Sequence, residues 1–209
     1  MRAYEEQLSE SFDHLLAESD RYFSETGKFR FTLSDLTRRL EAAGIPYAVL
    51  GAIALARYGY QRMTVAIDLL LSPEGLVRFQ EQYLGRGYVP AFNGATKSFR
   101  AAETGVRVDV ITSGEYPGDG KPKPVVYPDP ADVANEMDGV QVVKLEKLIE
   151  FKLASGISAP HRLRDLADVQ DTIRALHLPE GFADGLDASV RLAYLDLWQR
   201  AQTPAGAVT

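Results

Sequence analysis

The spacing of apolar positions changes several times along this chain, and the changes mark out its elements. Leu8, Phe12, Leu15 and Leu16 recur at helical spacing and predict an amphipathic helix over 4–23. A second helix starts near Thr32 or Ser34, buries Leu33, Leu36 and Leu40, and stops at Gly44. Residues 45–50 then read as a strand opened by Pro46, 52–58 as two helical turns ended by Gly59, and 64–71 as a second strand. Ser72-Pro73 is a hydroxyl N-cap followed by proline at the first helical position, and Leu76, Phe79 and Tyr83 supply the inner face of the helix it opens. Residues 97–101 and 106–112 form a hairpin around Glu103-Thr104-Gly105. The stretch 113–130 holds five prolines and three glycines, which exclude regular structure. A short strand at 140–143 and helices at 144–155, 161–176 and 183–200 complete the chain, with a frayed tail from Gln202.

Strands and helices interleave in the middle, and helices stack at both ends. The expected class is α/β: a mixed β-sheet core over 45–143, N-terminal helices over 1–44 packed on it, and a C-terminal helical region over 144–209, all in one compact unit.

Composition narrows the chemistry. Of 209 residues, 45% are hydrophobic and 25% charged, which is ordinary for a globular protein with a sizeable core. No apolar run approaches the roughly 18 residues a membrane span needs. The N-terminus is acidic and amphipathic rather than basic then apolar, so a cytoplasmic location is expected. The absence of cysteine excludes disulfides, a thiolate nucleophile and cysteine-ligated zinc. A net charge of −6 argues against broad electrostatic binding to nucleic acid but leaves room for a local basic cleft. The three histidines, His14, His161 and His177, show no ligand spacing.

Within the apolar strand at 64–71, alternation places Thr64, Ala66, Asp68 and Leu70 on one face. An ionised carboxylate in such a strand is costly unless it is paired, hydrogen-bonded or on a metal. Asp109 has the same character in 106–112, where Arg107 shares its face. Each aspartate alone is equally a turn or salt-bridge residue, and Arg107 alone is a neutraliser of Asp109. If the strands are neighbours, the two carboxylates converge on one cation. Mg2+ suits such a pair, because it takes one or two carboxylates together with phosphate oxygens. Gly51, at a strand-to-helix turn, allows close backbone approach and aims the first N–H groups of the next helix at an anion.

The ordered set of strand, glycine, short helix, Arg62-x-Thr64, Asp68 strand and later Asp109 strand resembles the nucleotidyltransferase superfamily of DNA polymerase β-like folds. Within it, the chain is most similar to the small bacterial abortive-infection toxin-type and minimal nucleotidyltransferases. The resemblance covers about residues 45–175. It implies transfer of an NMP from an NTP to an RNA end or a protein hydroxyl, with Mg2+ or Mn2+ on Asp68 and Asp109. Gly51-Ala52 corresponds to the family's Gly-Gly or Gly-Ser turn, with Arg62 and Thr64 beside the nucleotide. It further implies that Lys152 and the later Asp165 complete the site, and that a toxin–antitoxin or phage-defence role, with a cognate antitoxin protein as partner, is to be expected.

Two positions depart from the family pattern. Ala52 removes a hydroxyl contact to phosphate. Ala66 stands where the family's Asp-x-Asp has its first acid, so one metal-binding carboxylate is missing. Two accounts are open: a natural pseudo-enzyme retained as a nucleotide-binding or immunity module, and an Asp→Ala inactivation of an active enzyme.

Lys152 falls on the apolar stripe of its helix after Leu145, Leu148 and Ile149. It either runs its ammonium out to water or meets an anion, with a nucleotide phosphate as the anion the resemblance suggests. Arg164 and Asp168 read as an ordinary i,i+4 pair on a solvated face. Lys97, Arg100, Lys121 and Lys123 are candidate phosphate contacts that equally well only face solvent.

Overall fold

The computed structural model describes residues 27–203. The helix expected over 4–23 lies outside them. Helix α1, described over 27–42, begins earlier than its leucine stripe suggests, and Leu36 and Leu40 are fully buried. Then follow β1 (Tyr47–Leu50), α2 (Gly51–Tyr58), β2 (Ala66–Leu71), α3 (Pro73–Tyr83), β3 (Tyr88–Pro90), β4 (Ser98–Ala101) and β5 (Arg107–Thr112). After the proline-rich stretch come α4 (Pro130–Val133), β6 (Ala134–Met137), β7 (Val140–Val143), α5 (Leu145–Ser158), α6 (Leu163–Leu176) and α7 (Ala188–Gln202). Ser72 caps α3 as its sequence suggests, its Oγ accepting the Gly75 N–H at 2.9 Å.

The seven strands form one mixed sheet in the order β3-β4-β5-β2-β1-β7-β6. At its centre β2 is antiparallel to β1 and parallel to β5. The parallel pairing sets Ile67 beside Val108 and Leu69 beside Val110, and these side chains share a face with Phe99 of β4. Phe79 of α3 packs on that face, 5.3 Å from the Phe99 ring and 5.2 Å from Tyr88. The opposite face of the same two strands carries Ala66, Asp68, Arg107, Asp109 and Ile111. Burial alternates along β5 accordingly, with Val108, Val110 and Thr112 buried and the residues between them half-open.

β6 is an element that periodicity does not suggest, because Ala-Asn-Glu-Met has no β-branched or aromatic residue. It exists by pairing with β7 across a two-residue turn in which Asp138 and Gly139 both have positive φ, 52° and 75°. That is the geometry that Asp-Gly hairpins favour.

Helix α5 departs further from expectation. Instead of one buried stripe, every residue from Leu148 to Gly156 is buried, because α2, α6 and α7 pack around it. Glu150 survives this burial by accepting from Lys147 at 2.7 Å and from the Asp187 backbone N–H at 2.8 Å. No helix among the described residues is long and apolar enough to cross a membrane.

Candidate nucleotide site at the open face of the sheet

The face of β2 and β5 turned away from α3 opens into a cleft of about 490 Å³, closed on its far side by α5 and the start of α6. Asp68 and Asp109 lie directly beside each other across the parallel pairing. Ser98 donates to Asp109 Oδ1 at 2.6 Å, and Arg107 Nε lies 2.9 Å from Asp109 Oδ2. No hydrogen bond or ion pair among the described residues reaches the Asp68 carboxylate. Burial, and then the charge of Asp109, push its carboxyl up to about 6, against the opposing pull of Lys152, Arg62 and Arg162. A bound cation would relieve both causes.

Because this pKa lies above the ordinary carboxylate value, the fold gains most from Asp68 below about pH 4 and loses that gain as pH rises through 6. In metal-free buffer, Asp68→Asn is therefore expected to be more stable than the parent at pH 8 by about 2 to 3 kcal/mol, with the difference vanishing near pH 4. Urea titrations across that range measure it, and a constant difference would contradict it.

Gly51 is indispensable to this arrangement. Its φ is +69°, and a Cβ placed on it would stand 1.9 Å from Asp68 Oδ2. The glycine thus makes room for the carboxylate, while Leu50 N-caps α2 without a side-chain hydrogen bond and leaves the first N–H groups of that helix free of one. Gly51→Ala is expected to cost about 1–2 kcal/mol for the left-handed backbone alone and to displace Asp68 as well. The melting temperature of Gly51→Ala against the parent measures the combined cost. Ala52 is buried behind the turn, outside the cleft lining.

Lys152 meets carboxylates. Its Nζ donates to Asp168 Oδ2 at 2.7 Å and to Asp165 Oδ1 at 3.0 Å. Arg62 Nε lies 2.8 Å from the other oxygen of Asp168, without the alignment of a hydrogen bond. Asp165 also accepts from Ser155 at 2.7 Å and from Arg162 at 2.8 Å. Burial alone would raise the Asp165 carboxyl, but Lys152, Ser155 and Arg162 outweigh it and hold it below the usual carboxylate range. The solvated-face reading of α6 is thus corrected. Asp165 and Asp168 are both buried, and Asp168 pairs with Lys152 and Arg62 rather than with Arg164.

Other expected contacts fall elsewhere. Thr64 donates its hydroxyl to the Ala66 carbonyl at 2.9 Å and does not line the cleft. Lys97 is held by Glu115 and Thr112, Lys123 by Asp119 and Ser158, and Arg100 reaches the Gly105 carbonyl. None of these three enters the cleft, and neither does Lys121. Sequence reasoning passed over Arg162, Tyr127 and Phe151 and set Arg164 on a solvated face, yet all four line the cleft. The Tyr127 and Phe151 rings pack at 4.7 Å, and burial raises the Tyr127 phenol. The only available signal for Tyr127 was its place as one of two aromatics, with Tyr116, in the proline-rich loop. Arg62, Arg107, Lys152, Arg162 and Arg164 together make this a basic cleft in an acidic chain.

No protein-family model and no curated protein matches the chain. Among solved structures it is similar to an antigenic nucleotidyltransferase-like protein from Paracoccidioides brasiliensis, at 15% identity and a TM-score of 0.55, over 83% of this chain and 88% of that one. The fold is nucleotidyltransferase-like. A further solved structure, ANT(2'')-Ia in complex with adenylyl-2''-tobramycin, is similar over 84% of this chain and 98% of that one, at 13% identity and a TM-score of 0.46.

On this nucleotidyltransferase-like fold, the donor set can be tested against a metal. Among the described residues no group of three or more His, Cys, Asp or Glu side chains converges to form a closed cage. Mg2+ does not need one, since it keeps several waters and is bound by one or two carboxylates plus substrate phosphates. The Asp68–Asp109 pair, with Asp68 unengaged, fits that requirement. Its neighbour Ala66 adds no ligand.

Proposed function

We propose that this chain binds a nucleoside triphosphate with a divalent cation in the cleft and transfers its NMP moiety to an acceptor hydroxyl, with pyrophosphate as the leaving group. The observation that carries this reading is the pairing of Asp68 with Asp109 in register, with no hydrogen bond to the Asp68 carboxylate among the described residues. Asp68 and Asp109 would hold Mg2+ or Mn2+, and the metal, when bound, would supply electrostatic stabilisation of charge on the reacting phosphate. The Gly51 turn would admit the phosphates close to the backbone at the start of α2. Arg62 and Arg162, steadied by Asp168 and Asp165, would offset the remaining phosphate charge, and Arg164, which has no partner among the described residues, is available at the rim. In this assignment Lys152 is a positioning residue: it holds Asp165 and Asp168, and through them both arginines.

Ala66 makes the proposed enzyme slow. The second reading, a module that binds nucleotide without transferring it, is favoured by the same alanine. An RNA end or protein hydroxyl as acceptor, and a toxin role with a cognate antitoxin, extend the proposal on the family resemblance alone. The test is a titration of the full chain with each of the four NTPs in Mg2+ and in Mn2+, followed by incubation of α-labelled NTP with total cell RNA or lysate. Metal-dependent binding with slow transfer is expected. Binding without transfer at any enzyme concentration would select the second reading, and no binding of any NTP would refute both.

A further inference from the structure

The row of side chains next to the two aspartates has its own chemistry. On the exposed face of the sheet, Ala66 of β2 stands beside Arg107 of β5, which in turn stands beside Arg100 of β4. Neighbouring strands are only about 4.8 Å apart, so a carboxylate at 66 would lie within reach of Arg107. With alanine there, the row holds two arginines and no acid. Asp109, one row on, supplies a partner for Arg107, and Arg100 has only the Gly105 carbonyl. Arg107 Nε is buried without an aligned hydrogen bond, while the side chain as a whole stays 41% exposed and lines the cleft. Nothing among the described residues claims the rest of the guanidinium.

Resting on the function proposed above, we propose that Arg107 takes the part a second metal ion plays in two-metal phosphoryl-transfer sites, its guanidinium neutralising the triphosphate directly so that the site works with one divalent cation. The charge balance supports the exchange. Beside alanine the guanidinium keeps its charge for the phosphates, whereas a carboxylate at 66 would cancel it. Arginine also suits the task in shape, since its planar fork matches two phosphate oxygens at once and its charge does not titrate. An acid at 66 would turn Arg107 away from the ligand and leave its task to a second divalent cation.

The test counts metals. The full chain is loaded with each of the four α,β-methylene NTPs, and bound Mn2+ is measured by electron paramagnetic resonance. One Mn2+ per bound nucleotide is expected for the unsubstituted chain, and two for the double variant Ala66→Asp/Arg107→Ala. Arg107→Ala alone should weaken nucleotide binding at least tenfold at saturating Mn2+, and Arg107→Lys, which keeps the charge but loses the fork, by less than Arg107→Ala. Two Mn2+ ions in the unsubstituted chain, or unchanged affinity in Arg107→Ala, would overturn this role while leaving the nucleotide site standing. Failure of all four analogues to bind would remove the nucleotide site itself, and this inference with it. A folding defect in Arg107→Ala leaves the metal count on the unsubstituted chain and the lysine variant to decide.

Discussion

Ala66→Asp is expected to raise nucleotide transfer by roughly 10²–10³-fold, the gain that one well-placed charged group supplies to a phosphoryl-type transition state. Position 66 lies two residues before Asp68 on the same face of β2, so a carboxylate there would form one cluster with Asp68 and Asp109. The gain should fall at the lower end of the range, because the new acid has Arg107 directly beside it. The same substitution should lower stability when no metal is present. Ala66 is 5% exposed, and a third carboxylate beside two others adds repulsion where burial and Asp109 have already raised Asp68 to about 6. Millimolar Mg2+ should restore the lost melting temperature in Ala66→Asp and have a smaller effect on the parent. Labelled-NTP transfer and thermal melting with and without Mg2+ measure the two effects separately. A variant that gains metal-dependent stability but no transfer would support the binding-module reading.

The second large effect concerns Lys152. Lys152→Met keeps the apolar stem and removes the ammonium from two buried carboxylates. Breaking a buried pair by removing one partner costs about 3–5 kcal/mol, and the low end applies here because Arg62 and Arg162 still face Asp168 and Asp165. For a domain of this size that corresponds to a fall in melting temperature of about 10 °C. The defect should shrink as pH falls below about 4, since Lys152 holds the Asp165 carboxyl below its usual range and that contribution is lost once the carboxyl protonates. Lys152→Met/Asp168→Asn should recover part of the loss at pH 7. A lysine that merely ran its head into water would show neither the size of the effect nor its pH dependence.

The two sides of the cleft differ in how much could be read from residues alone. Asp68 and Asp109 stand out because a carboxylate breaks an apolar alternation, and that alternation is a local property of each strand. Gly51 stands out as a turn, but its reason for being glycine, the Asp68 carboxylate where its side chain would go, belongs to the antiparallel packing of β1 on β2. The Asp138-Gly139 signal for the β6–β7 hairpin was present in the sequence, and the polar β6 segment hid it. Asp168 gave the wrong impression, because four-residue spacing from Arg164 is a local pattern, whereas its actual partners come from α5 and from the segment before β2. Lys152 was visible as a charge on an apolar stripe. That its anions would be protein carboxylates depended on how α5 packs against α6.

By itself, then, the amino-acid sequence determined the α/β class, the two acid-bearing strands and the glycine turn between β1 and α2. These are features of period and composition that each segment carries within its own few residues. Tertiary structure alone decided that β2 and β5 are parallel neighbours in a register that pairs Asp68 with Asp109 and Ala66 with Arg107. It also decided that Lys152, Arg62 and Arg162 are bound to Asp165 and Asp168. Register and helix packing are set by contacts between residues far apart in the chain, and a one-residue slip would turn every side chain of β5 to the other face.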